Sequence, residues 1–219
     1  VTMIGILKAD CMHVPIDPSG PVPRIARILD ACENRWLLAA GGVSGLLNEL
    51  LKDERIQQRL AIGWMEPETV AGQNFRLEFS WDDLNAFASE PPPTENRPDD
   101  PAHILFTSGS TGVPKGVMHT HRSAMSFVRW VESVQQPAQT DRFSSHAPFH
   151  FDLSILDLYV PMTVGAAIVL VGDALGKEPQ ALAQYIADKR ISVWYSVPSI
   201  LAMLAQPVFA EYMEAFGWG

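Results

Sequence analysis

The chain has 219 residues, 47 % of them hydrophobic and 19 % charged, a globular composition long enough for one large or two small domains. Lys and Arg number 16 against 25 Asp and Glu, a formal net charge of −9 with no basic block. That balance excludes a partner bound through nucleic-acid phosphates, although one locally positive loop can still hold a nucleotide.

The two cysteines, Cys11 and Cys32, show no metal-ligand spacing and suit a reducing, cytoplasmic compartment. The longest apolar run, 160–171, is broken by Pro161, Thr163 and Gly165. It is too short to cross a bilayer, so no membrane partner is expected.

In chain order, residues 4–8 read as the end of an apolar helix, and 9–18 as an extended loop punctuated by Pro15 and Pro18. His13 in that loop has two readings, a site residue or a satisfied structural histidine. Residues 24–32 predict a helix with Ile25, Ile28 and Leu29 on one face. A short strand follows at 36–40, a turn at Gly41 and Gly42, and a second helix over 46–60 whose Lys52, Asp53, Glu54 and Arg55 form a solvated face. Residues 62–65 predict a strand, 66–80 carry no clear pattern, and 81–88 read as a short helix. The prolines of 90–101 lack N–H donors and fix φ, so this run is a surface loop inside one domain.

A buried strand is predicted at 102–106 and a helix at 121–136, with Met125, Val128, Val131 and Val134 aligned and Pro137 as its stop. Then come a strand at 143–147, a helix at 152–162, a strand at 166–171, an amphipathic helix at 178–189, a buried strand at 191–195 and a short helix at 199–205. Strands alternating with helices predict an α/β fold of layered, largely parallel sheets flanked by helices.

The densest chemistry follows the strand at 102–106. Thr107, Ser108, Gly109, Ser110, Thr111, Gly112, Val113, Pro114, Lys115 and Gly116 make a loop of hydroxyls, glycines and one lysine. Glycine lets backbone N–H groups close on oxygen atoms, successive N–H groups form an anion-binding concavity, and Lys115 adds a compact cation. Val113 and Pro114 separate Gly112 from Lys115, which breaks the P-loop template, and the third glycine of the dinucleotide fingerprint is missing. The string T-S-G-S-T-G-x-P-K-G instead resembles the phosphate loop of the AMP-forming adenylating enzymes. That superfamily holds amino-acid adenylation domains, acyl-CoA synthetases and luciferases. Residues 5–18 resemble the adenylation-domain motif L-K-A-G-x-x-Y-V-P-L-D-P, with Asp10 in place of a glycine and His13 in place of an aromatic.

A second informative stretch is Ala147-Pro148-Phe149-His150-Phe151-Asp152-Leu153-Ser154-Ile155, which sets one acid among apolar neighbours where strand gives way to helix. An isolated carboxylate there needs a helix N-terminus or a bound cation to offset its charge. On residue types alone, Asp152 is a helix cap. Phe151-Asp152-Leu153-Ser154 also resembles the F-D-x-S segment of amino-acid adenylation domains, whose Asp binds the substrate ammonium group, and both roles are compatible. The resemblance implies a substrate pocket lined by Leu153, Leu156 and Tyr195, a pattern that looks like the proline pocket. Each of these three alone reads equally as core. His150 flanks either the substrate carboxylate or the α-phosphate, or is a packed histidine.

By resemblance, the chain is part of the large N-terminal domain of the acyl-adenylate-forming fold, residues 1–219 being truncated at both ends. The implied reaction joins an amino acid, with L-proline favoured, to ATP with Mg²⁺ to give aminoacyl-AMP and pyrophosphate. The aminoacyl group then passes to the phosphopantetheine thiol of a carrier protein. Lys115 and Thr107 are the implied catalytic residues, and the loop from Thr107 to Gly116 the implied β,γ-phosphate site, with no protein metal ligands assigned. The family's Y-G-P-T-E segment, ribose-binding Asp, hinge and C-terminal catalytic Lys have no counterpart here. The expectation is therefore an incomplete, inactive piece. D-alanine:carrier-protein ligases, acyl-CoA synthetase-like enzymes and a non-catalytic phosphate- or partner-binding domain are the alternatives.

Overall fold

In the computed structural model, which describes residues 1–67, 75–87, 90, 92–107 and 113–204, the chain divides into two units, Val1–Thr120 and His121–Gly219. The first opens with α1 (Thr2–Lys8) and α2 (Val22–Cys32). Helix α2 starts two residues before the apolar periodicity does, because Pro23 sits in its first turn, where a missing N–H has no partner to lose. Ile25, Ile28 and Leu29 are buried, as their spacing predicts.

Strands β1 (Trp36–Ala39) and β2 (Ala61–Trp64) pair in parallel, Trp36 opposite Ala61 and Ala39 opposite Trp64. The single helix expected over 46–60 is two, α3 (Ser44–Leu50) and α4 (Glu54–Arg59). Asp53 divides them: its side chain accepts the Arg55 N–H at 3.0 Å, a local bond that starts a new helix instead of continuing the old one. Leu47, Leu50, Ile56, Ile62, Trp64 and Phe75 close a core with Ile25 and Leu29. Helix α5 (Trp81–Leu84) is shorter than expected, and Ala88 lies outside the described residues. Ser80 starts it by donating its N–H and hydroxyl to the Asp83 carboxylate at 2.7 and 2.8 Å.

The described residues of 92–100 form no helix or strand and lead into β3 (Pro101–Thr107). Strand β4 (Lys115–Thr120), which the sequence did not suggest, pairs with β3 antiparallel. The loop bearing His13 lies beside β3. His13 N–H donates to the Ala102 carbonyl at 3.2 Å, and its own carbonyl accepts from Ile104 N–H at 3.1 Å. The rings of His13, His103 and His119 stand in sequence, with centroids 5.6 and 4.9 Å apart. His13 is buried, and burial lowers its pKa to about 4. Neither ring nitrogen has a partner among the described residues, so this histidine is buried but not satisfied.

The second unit begins with α6 (His121–Gln135), which buries Val128 and Val131 while Val134 faces solvent. Strands β5 (Arg142–Ser145) and β6 (Ala167–Leu170) pair in parallel, Arg142 opposite Ala167 and Ser145 opposite Leu170. The strand expected at 191–195 is a single parallel bridge, Phe143 to Val193. Strand β5 ends at Ser145 and offers little further length to pair, and the Trp194 indole N–H turns to the Ser196 hydroxyl at 2.9 Å. Helix α7 (Ser154–Val164) begins two residues later than expected and ends at Gly165, whose φ of 73° suits a left-handed cap. A 3-10 turn at Leu175–Lys177, α8 (Pro179–Asp188) and α9 (Pro198–Leu204) complete the described chain. Val128, Val131, Phe143, Ile155, Leu156 and Val160 form one core here, and Val169, Val171, Leu182, Ile186, Ile191 and Leu204 another.

Among the described residues two of the three sheets are parallel, and the architecture is the expected α/β. At Gly63 a Cβ would stand 2.1 Å from Phe79 Cζ, so the ring lies directly on this backbone. Gly63→Ala should force Phe79 away and lower the unfolding free energy by about 1–3 kcal/mol, measured by chemical denaturation.

Candidate active site

Thr107 and Lys115 are register partners across the β3–β4 hairpin, so the glycine-rich loop leaves and returns at one place. Thr107 Oγ1 donates to the Lys115 carbonyl at 3.5 Å, a long contact. Both residues are exposed, and the Lys115 ammonium makes no ion pair or hydrogen bond with a described residue. Gly116 is required by its surroundings: a Cβ would meet Ile104 Cγ2 at 2.9 Å and Phe106 Cζ at 3.1 Å. Arg24, which the sequence reading did not single out, reaches from α2 to the Phe106 carbonyl at 3.4 Å and brings a second cation to the hairpin's end. Only the folded chain joins positions 82 residues apart. Ser108, Gly109, Ser110, Thr111 and Gly112 lie outside the described residues.

The other predicted site residues belong to the second unit. Residues 146–153 connect β5 to α7 at the carboxyl end of the strand, the edge at which open α/β sheets bind ligands. The connection is tightly wound. Phe151 N–H donates to the Pro148 carbonyl at 2.9 Å, and the Ser154 hydroxyl donates to the carbonyls of Phe151 and Phe149 at 2.6 and 3.3 Å. The ring of His150 meets Phe151 edge-on at 5.7 Å.

Asp152 does not cap α7, whose N-cap is Leu153 without a side-chain hydrogen bond. Its carboxylate is exposed beside the exposed Phe149 and Phe151, and it has no partner among the described residues. The apolar ledge expected around it is therefore open to water, and no burial cost attends this charge. Leu153 is half-buried, and Leu156, one turn further on, is only 2 % exposed, within the core of α6, α7 and β5. Tyr195 is exposed and follows the segment bridged to β5. The His146 and Trp194 rings, 5.0 Å apart, join the start of the loop to that segment.

Among the described residues the lone buried acid is Asp157, which the sequence reading passed over. It is 1 % exposed, and its Oδ2 accepts the N–H groups of His146 and Ala147 at 3.1 and 3.2 Å. Oδ1 has no partner among the described residues. Burial pushes its pKa up to about 6 against the opposing pull of the two N–H groups. An acid flanked by Leu156 and Leu158 on a helix was the available signal.

Among the described residues no three His, Cys, Asp or Glu side chains gather as a metal site. A cavity of about 220 Å³ lined by Leu51, Leu60, Ile62, Phe75, Arg76 and Glu78, with others, touches none of the predicted site residues. No described helix is long and apolar enough to cross a membrane.

Residues 1–216 match the AMP-binding enzyme family, and the chain belongs to it. It is 37 % identical over 204 residues to an L-proline--[L-prolyl-carrier protein] ligase of Pseudomonas fluorescens, covering 93 % of this chain and 39 % of that protein. A D-alanine--D-alanyl carrier protein ligase of Staphylococcus epidermidis is 28 % identical over 203 residues, covering 93 % of this chain and 37 % of that protein. The chain thus spans about two-fifths of the length of these relatives. Among solved structures, an anthranilate CoA ligase in complex with anthranoyl-AMP superposes with a TM-score of 0.81 at 21 % identity, covering 96 % of this chain and 40 % of that one. That likeness establishes the fold alone, the α/β fold seen in the N-terminal domains of acyl-adenylate-forming enzymes.

Because the Asp157 pKa is raised on folding, its contribution to stability is full below the ordinary carboxylate value near 3.8 and is lost as pH rises through about 6. Asp157→Asn, which cannot ionise, should gain on the wild type by about 2 kcal/mol between pH 4 and pH 8, read from urea unfolding at each pH.

Proposed function

We propose that the full-length protein activates L-proline with ATP and loads it onto a carrier protein. The observation that carries this reading is Asp152, an exposed carboxylate without a partner among the described residues, presented by an F-D-x-S turn. A carboxylate so placed is a ready counter-ion for a substrate ammonium group. Proline is favoured over D-alanine by 37 % against 28 % identity to the respective ligases.

In this mechanism Asp152 holds the ammonium and aims the amino acid's carboxylate at the α-phosphorus of ATP, a contribution from proximity. A carboxylate oxygen forms the new O–P bond while the bond to pyrophosphate breaks. Lys115, Thr107 and the backbone N–H groups of residues 107–116 stabilise charge on the departing pyrophosphate. The carrier's phosphopantetheine sulfur then attacks the acyl carbon, a thioester forms, and AMP leaves. Leu153 and Tyr195 supply walls and Leu156 the floor of an apolar pocket, in which one methylene is worth about 1–3 kcal/mol of selectivity. His150 borders the substrate carboxylate. Mg²⁺ bound with ATP would supply neutralising charge to the polyphosphate beside Lys115 and Thr107. Both cysteines are free thiols, which fits a cytoplasmic setting.

ATP–pyrophosphate exchange by the full-length gene product should be strongest with L-proline, weaker with D-alanine and absent with benzoate. A benzoate-dependent signal above that for proline would overturn the role given to Asp152. Lys115→Ala should lower exchange on the order of 100-fold with unchanged thermal unfolding; wild-type exchange in that variant would remove Lys115 from the mechanism.

A further inference from the structure

We propose that Asp157 is a positioning residue for the substrate, fixing through the backbone of 146–147 the place at which Asp152 receives the ammonium group. The inference rests on the adenylation reading above and goes beyond it, since Asp157 touches neither substrate nor phosphate in that mechanism.

The argument begins from cost. A carboxylate 1 % exposed, with one oxygen unpartnered among the described residues, is an expensive group to keep in an apolar core. Replacing buried ionic groups by apolar ones of similar size is often neutral or stabilising, so a stability role explains Asp157 poorly. What it does hold is specific. Oδ2 takes the N–H groups of two successive residues, His146 and Ala147, where the chain has just left β5.

The same turn of α7 holds the far part of the loop. Ser154, three residues before Asp157 and likewise buried, donates its hydroxyl to the carbonyls of Phe149 and Phe151. Residues three apart on a helix share a face, so a single face fixes the N–H groups at the loop's start and the carbonyls at its middle. Between these anchors Phe149, Phe151 and Asp152 face solvent. The buried acid and serine set the frame, and the exposed acid does the binding. The His146 ring also packs on Trp194, next to Tyr195, so a slip at 146–147 would disturb both sides of the proposed pocket. Displacing a bound reactant by about 1 Å can cost on the order of 100-fold in rate.

The test uses the full-length enzyme in ATP–pyrophosphate exchange, with KM for L-proline and KM for ATP measured separately and thermal unfolding as control. Asp157→Asn keeps an oxygen where Oδ2 stands and should stay within about twofold of wild type. Asp157→Leu matches the volume without an acceptor and should raise the proline KM on the order of tenfold or more, with the ATP KM unchanged. Asp157→Ser, shorter and still polar, is carried in parallel because the leucine variant can fail to fold; it should show the same split. In an Asp152→Asn background Asp157→Leu should add less than twofold, because its effect passes through Asp152. An unchanged proline KM in both the leucine and serine variants, equal rises in both KM values, or additive losses in the double variant would each overturn the role of Asp157 while leaving the adenylation reading intact. A wild-type enzyme that exchanges with no amino acid would overturn both.

Discussion

Opposition of Thr107 to Lys115 is the constraint on which the proposed anion site depends. An antiparallel pair holds facing residues about 5 Å apart, so strand pairing has already met the closure entropy of the intervening loop. Gly116 lets the second foot of the hairpin lie flush on Ile104 and Phe106, and Lys115 leaves that foot with its ammonium free among the described residues.

The acids of the F-D-L-S-I-L-D stretch divide the labour by exposure. Asp152 is exposed to solvent and open to a ligand. Asp157 is enclosed, so its charge is costly and its value lies in the backbone it grips. Ser154 completes the grip from the same helical turn.

Elements with one clear face were legible. Ile25, Ile28 and Leu29 announced α2, and strand alternating with helix announced the α/β class. Strand β4 was not legible, because Lys115–Thr120 is exposed along most of its length and carries no alternation of apolar and polar residues. The break between α3 and α4 was hidden because the charges at 52–55 suit a solvated helix face as well as a cap. The apolar run at 191–195 signalled burial but not how many strand partners it would find. In the F-D-x-S stretch, the sequence assigned Asp152 the surroundings that Asp157 has. Both acids sit among apolar letters, and only packing decides which of them turns inward.

The outer edge of β4 has a practical consequence. Among the described residues β3 is its sole strand neighbour, and Val117 and Met118 are 45 % and 56 % exposed. Open donors and acceptors beside apolar side chains are a template for any extended segment that diffuses past. An exposed edge of this kind favours self-association as concentration rises. Handling the chain in solution calls for dilute conditions or for a charge introduced at Val117.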